Sequence, residues 1–141
     1  MSWRILQRWF NIATSPNWDY ISDKHSEKFW IYWHEKSENI SKLHMRYRSY
    51  PAGYVNLIGE DEAHLTLADI YVKPEYRHRG LGKGLMLETL KWARKNDFQE
   101  FSGFMKSHDG LTEEYIAEWY KRQGFQVIGR HISMELLDIK G

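Results

Sequence analysis

At 141 residues the chain is the size of one domain and can bury a core without metal or disulfide staples, so residues 1–141 are expected to form a single unit. Charged residues make up 28% of it but leave a net charge of only +1, so no global field directs it to nucleic acid or to an acidic partner. There is no cysteine, which excludes disulfides, thiolate nucleophiles and thiolate metal sites, and no apolar run reaches signal-peptide or membrane-spanning length; the expectation is a soluble cytoplasmic protein with no metal and no membrane partner.

Aromatic residues are 16% of the chain, seven of them Trp, which predicts an aromatic-rich core, an apolar groove, or both. Trp3, Leu6, Trp9, Phe10 and Ala13 recur at spacings of three and four, the stripe of a short amphipathic helix docked on its own domain. Ser15-Pro16-Asn17 breaks the pattern, and residues 14–26 read as loop. From Lys28 the period becomes two: Phe29, Ile31 and Trp33 share one face of a strand, Trp30, Tyr32 and His34 the other. Ser37-Glu38-Asn39 forms a hairpin break before a second strand with Leu43, Met45 and Tyr47 on its dry face. Pro51-Ala52-Gly53 is expected to turn the chain into residues 54–58, and Gly59-Glu60-Asp61-Glu62 turns it again into residues 65–72.

That fourth strand ends at Pro74, which cannot donate to a ladder, and leads into a basic turn with Gly80, Gly82 and Gly84. A helix follows with Leu81, Leu85, Met86, Leu90 and Ala93 on its inner side; Asn96-Asp97 stops it. Residues 98–105 read as a strand and 107–110 as loop. Thr112-Glu113-Glu114 opens a second helix carrying Ile116, Trp119 and Tyr120, closed by Gly124; residues 125–128 and 132–137 are two more strands. This order gives an α+β class with one mixed sheet.

Glycines at the mouth of a helix let backbone approach a ligand, and the first helical amides have no internal partner, so the turn is a site for phosphate or pyrophosphate. Two nucleotide classes fail on spacing. A P-loop needs Ser or Thr after Gly82-Lys83, where Gly84 stands, and the dinucleotide fingerprint needs glycines at other intervals than 80, 82 and 84. His34-Glu35 lacks the second His of a zinc-protease helix, and no Gly-x-Ser-x-Gly elbow exists. Residues 44–50 interleave bases with aromatics, as a nucleic-acid-binding regulator would, but a strand with one wet face explains them better.

Arg77-x-x-Gly80-x-Gly82 after a strand ending in Val72, followed by Tyr120-x-x-x-Gly124-Phe125 at a helix end, resembles the two recurring elements of the GNAT family of N-acetyltransferases. The resemblance covers roughly residues 40–137. It implies a GNAT-like fold, a central mixed, mostly antiparallel sheet of about six to seven strands flanked by helices. It also implies acetyl-CoA as cosubstrate. The pyrophosphate would lie on the amides of Arg77, His78, Arg79, Gly80, Leu81, Gly82, Lys83 and Gly84, with charge added by Arg77, Arg79 or Lys83. Ile70, Tyr71 and Val72 would pair with the pantetheine arm, in a V-shaped gap facing the strand over residues 98–105.

The implied reaction is direct acetyl transfer to a primary amine of a small molecule or protein in a ternary complex, with Tyr120 as acid and Asp69 as base. Glu60, Asp61, Glu62 or a water chain are the fallback bases. Three departures stand out. Leu67-Ala68-Asp69 lacks a glutamate that spermidine-type relatives carry at the Ala68 position. Thr112-Glu113-Glu114 stands where an asparagine commonly touches the cofactor, and the amino-terminal third does not match the usual strand and two helices. The acceptor's identity is therefore unreadable. The alternative within the same fold is a non-catalytic acyl-CoA-binding module, and aromatics near the amino terminus are compatible with a homodimer.

Overall fold

The computed structural model describes residues 18–107 and 110–136. Five antiparallel strands open it: β1 (Asp19–Ser22), β2 (Lys28–Glu35), β3 (Ile40–Tyr47), β4 (Tyr50–Gly59) and β5 (His64–Val72). A single 3-10 turn, Pro74–Tyr76, leads to α1 (Leu81–Lys95), β6 (Glu100–Phe104), α2 (Glu113–Arg122), β7 (Gln126–Ile128) and β8 (His131–Glu135). The eight strands form one sheet in the order β1-β2-β3-β4-β5-β6-β8-β7, and β5 with β6 is its parallel pair. A parallel neighbour needs a crossover, and α1 supplies it.

The period-two pattern of β2–β5 puts Phe29, Ile31, Leu43, Met45, Val55, Leu57, Leu65 and Leu67 on one buried face. Against it lie Leu81, Leu85, Met86, Leu90 and Ala93 of α1, and Trp33 stacks on Trp92 with ring centroids 4.7 Å apart. Each buried Leu or Met of this layer contributes about 1.5–3 kcal/mol, which holds α1 against the sheet. The helix stops where Asp97 turns left-handed (φ 63°) and the Phe98 amide reaches back to the Ala93 carbonyl at 3.1 Å. The Thr112 hydroxyl caps α2 by accepting the Tyr115 amide at 3.1 Å, and Gly124 ends it at φ 102°.

Four expectations change. Residues 14–26 are not all loop, because Asp19–Ser22 pairs with β2; with only Ile21 turned to the core, four residues are too few to show alternation. Among the described residues the sheet consequently has eight strands rather than six or seven. Pro51-Ala52-Gly53 is not a turn but part of β4; the chain turns one step earlier, through Arg48 at φ 56°. Proline is tolerated there because β4 meets β5 only from Gly53 onward, so its missing N–H leaves no gap in that ladder. The strand expected over 98–105 is shortened to Glu100–Phe104. The helix expected around Trp3 to Ala13, the break at Ser15-Pro16-Asn17, part of the 107–110 loop and the last residue of the final strand lie outside the described residues.

Candidate active site

The site begins with a fault in the sheet. Asn56 pairs with Asp69 but Leu57 pairs with Leu67, so Ala68 has no opposite number in β4 and bulges. The bulge falls where β5 leaves β6: their ladder ends at Leu67 and Gly103, and from Ala68 to Val72 one edge of β5 has no strand beside it among the described residues. Gly103 is required at the parting, since a Cβ there would stand 2.7 Å from the Leu67 carbonyl oxygen. The result is the expected V-shaped gap.

A cavity of about 390 Å³ fills it. Of the residues expected to hold the cofactor, Ile70, Tyr71, Val72, Arg77, His78, Gly80, Leu81, Gly82 and Lys83 line this cavity. Arg79 and Gly84 do not. Gly84 serves packing instead, because a Cβ on it would come within 3.1 Å of Ile21 of β1. The opposite wall comes from α2 through Tyr115, Ile116, Trp119 and Tyr120. Left-handed backbone at His78 (φ 63°) and Gly80 (φ 81°) coils the chain into a nest-like turn. The first helical bond of α1 is Gly84 N–H to the Gly80 carbonyl at 3.1 Å, and Gly80 brings no side-chain cap, so the amides of Leu81, Gly82 and Lys83 are left for a ligand.

The three basic residues differ in availability. Arg77 Nε donates to the Val72 carbonyl at 2.8 Å and its guanidinium lies over the Tyr71 ring. Arg79 pairs with Asp23 at 3.6 Å and donates to the Glu75 carbonyl. Lys83 is exposed and makes no such contact among the described residues, leaving its charge for an anion.

Tyr120 is buried and lines the cavity, its ring edge-on to Trp119 and Phe125. Burial first, and then the negative charge of Asp69, push its phenol up to about 12. The hydroxyl therefore keeps its proton at any ordinary pH. Asp69 stands outside the cavity lining, and its Oδ2 accepts the Tyr54 hydroxyl at 3.0 Å. Burial and that bond raise the Tyr54 phenol in turn. Among the described residues Oδ1 of Asp69 makes no hydrogen bond.

Tyr54 was not legible as a site residue: only the β4–β5 register, which sets it opposite Tyr71, brings it to Asp69. The fallback acids are placed elsewhere. Asp61 sits in the β4–β5 turn at the far end of β5, where it holds His64; Asp69 lies five residues along the strand from His64, about 16 Å away. Among the described residues no three His, Asp or Glu side chains assemble into a metal site, and no helix is long and apolar enough to cross a membrane.

A split mixed sheet thus has a glycine turn without a side-chain cap at the mouth of its gap, and a cavity bordered by both. The profile of the acetyltransferase (GNAT) family matches residues 3–125, and the chain belongs to that family. Among solved structures it is similar to the PaiA N-acetyltransferase of Thermoplasma acidophilum in complex with coenzyme A, at 27% identity and TM-score 0.55, over 69% of this chain and 60% of that one. A GNAT acetyltransferase from Elizabethkingia anophelis with acetyl-CoA bound aligns at TM-score 0.61 and 13% identity, over 69% and 76% of the two chains. The ribosomal-protein-S18-alanine N-acetyltransferase of Escherichia coli aligns at TM-score 0.60 and 16% identity, over 72% of each. The last two likenesses bear on the fold. No curated protein sequence matches the chain.

Proposed function

We propose that the protein transfers an acetyl group from acetyl-CoA to a primary amine of a small molecule or protein, by direct attack in a ternary complex. The observation that carries this reading is the conjunction of a β5 edge left free after Leu67, a turn offering three unpaired amides, and a protonated Tyr120 between them on the cavity wall. The residues fit such a cosubstrate: the strand edge suits an amide-bearing arm, and the helix mouth with Lys83 suits a diphosphate. Acetyl-CoA, when bound, supplies an activated thioester carbonyl and a thiol leaving group.

Asp69 receives the proton that the acceptor ammonium must lose, through Oδ1 or a water on it, while Tyr54 fixes Oδ2. Tyr120 donates a hydrogen bond to the departing sulfur. At about 12 its phenol is a far weaker acid than an ordinary thiol, near 8.5, so it stabilises the thiolate rather than surrendering its proton to it. Calorimetry with acetyl-CoA, followed by thiol release over an amine panel, tests the reading. Absence of binding at micromolar cosubstrate refutes it.

One observation favours a second reading, a non-catalytic acyl-CoA-binding module: Asp69 does not line the cavity and Ala68 brings no carboxylate beside it. Binding without acetyl transfer to any amine would select that alternative.

A further inference from the structure

We propose that Asp23 is a positioning residue for the cofactor: from the β1–β2 turn it holds Arg79, and through Arg79 the glycine turn, in the form that accepts the diphosphate. The inference rests on the acetyl-CoA reading above. The Asp23 side chain is fully buried. Its Oδ1 accepts the amides of His25 and Glu27 at 2.8 and 2.9 Å and so closes the β1–β2 turn. Its Oδ2 has no hydrogen bond, and its cationic partner is Arg79, with Nη1 at 3.6 Å. The same two segments are joined a second time, because the Lys24 amide donates to the Arg79 carbonyl at 3.0 Å. Ile21, just before, packs on Gly84 at the start of α1. β1 and its turn thus brace residues 79–84 at Arg79 and Gly84, the two ends of a segment whose middle, Gly80 to Lys83, lines the cavity.

A carboxylate behind an anion site would repel a diphosphate if it stood alone. Paired with Arg79 it is neutralised, but the pair also takes Arg79 away from the ligand, so its contribution is geometric rather than attractive. Burial works to raise the Asp23 carboxyl, yet the amides of Glu27 and His25 and the charges of His25 and Arg79 outweigh it and hold the group below its ordinary range. The side chain is an anion held in place. Removing only its charge should spare the turn, since an asparagine oxygen still accepts the two amides, and should release Arg79, which is about one-third exposed and can reach water.

The test is calorimetry with acetyl-CoA on the wild type, Asp23→Asn, Arg79→Gln and the double variant, with thermal melts alongside. Each single change is expected to weaken binding by about tenfold, and the double change by no more than either, because both break one link. Melting temperature should fall only modestly in Asp23→Asn, because the fold favours the anion that the change removes while the turn and the exposed Arg79 are spared. Affinity for S-acetylpantetheine, which lacks the diphosphate, should be the same in wild type and Asp23→Asn. Unchanged or tighter acetyl-CoA binding in Asp23→Asn overturns the inference, as do multiplying effects in the double variant or equal losses for S-acetylpantetheine. A wild type that fails to bind acetyl-CoA overturns the underlying reading, and the inference with it.

Discussion

Replacing Tyr120 by Phe deletes one hydroxyl from the cavity wall and leaves the ring contacts with Trp119 and Phe125 in place. With the phenol at about 12 and an ordinary thiol near 8.5, full proton transfer to the thiolate is uphill by about 5 kcal/mol. A hydrogen bond to the developing anion is the contribution left, on the order of 1.5–3 kcal/mol. In rate that is a loss of about tenfold to 150-fold in kcat. Saturating steady-state assays of thiol release measure it, with calorimetry to check that acetyl-CoA affinity is kept. The Tyr120 hydroxyl makes no hydrogen bond among the described residues, so stability should change by no more than about 1 kcal/mol. The kcat of the wild type should show no descending limb from Tyr120 below about pH 10. An unchanged kcat removes Tyr120 from the mechanism, and a loss of ~10⁴ would show that the proton is transferred after all.

Asp69→Asn should lower kcat at neutral pH by about 100-fold with little effect on acetyl-CoA binding, and Tyr54→Phe by about tenfold through the lost bond to Oδ2; wild-type rates in both would assign deprotonation to water. Gly103→Ala forces a methyl to within 2.7 Å of the Leu67 carbonyl, and overpacking against main chain should cost about 1–3 kcal/mol in denaturant melts. Burial, reinforced by the charges of Lys42, His34, Lys36 and Arg46, lowers His44 from 6.5 to about 4. Below pH 6.5 the unfolded chain therefore binds a proton that the folded one refuses until about pH 4, so stability is lost as the pH is lowered from 6.5 to about 4. For a partly exposed ring about 1–2 kcal/mol should be at stake after screening, and His44→Phe should abolish that share of the acid sensitivity; a parallel pH profile for the two proteins would refute it.

What could be read from the sequence was whatever lay along a few consecutive residues. The turn from Arg77 to Gly84 and the Tyr120–Phe125 helix end carry their chemistry in local spacing, and the strands with Phe29, Leu43 or Leu65 show a period of two. Tyr54 and Asp23 do not, because their partners Asp69 and Arg79 are set by strand register and by the docking of one turn on another. Glycine meanings split for the same reason: Gly82 borders the cavity near Trp119, whereas Gly84 makes room for Ile21. Pro51 misleads as a turn signal because its strand has one partner at that point rather than two.

Ala68 is a supernumerary residue, and its removal would be nearly invisible to the hydrophobic pattern. Leu65 and Leu67 face the core before it, and Ile70 and Val72 pack toward the core after it, so a chain lacking it would still alternate without interruption. Such a chain could zip β5 onto β6 past Gly103 and become a seamless sheet, better hydrogen-bonded and with nowhere to seat a ligand. Substitution at this position is therefore a mild event and deletion a decisive one. The gap beside β5 thus begins at a single extra count in the β4–β5 ladder.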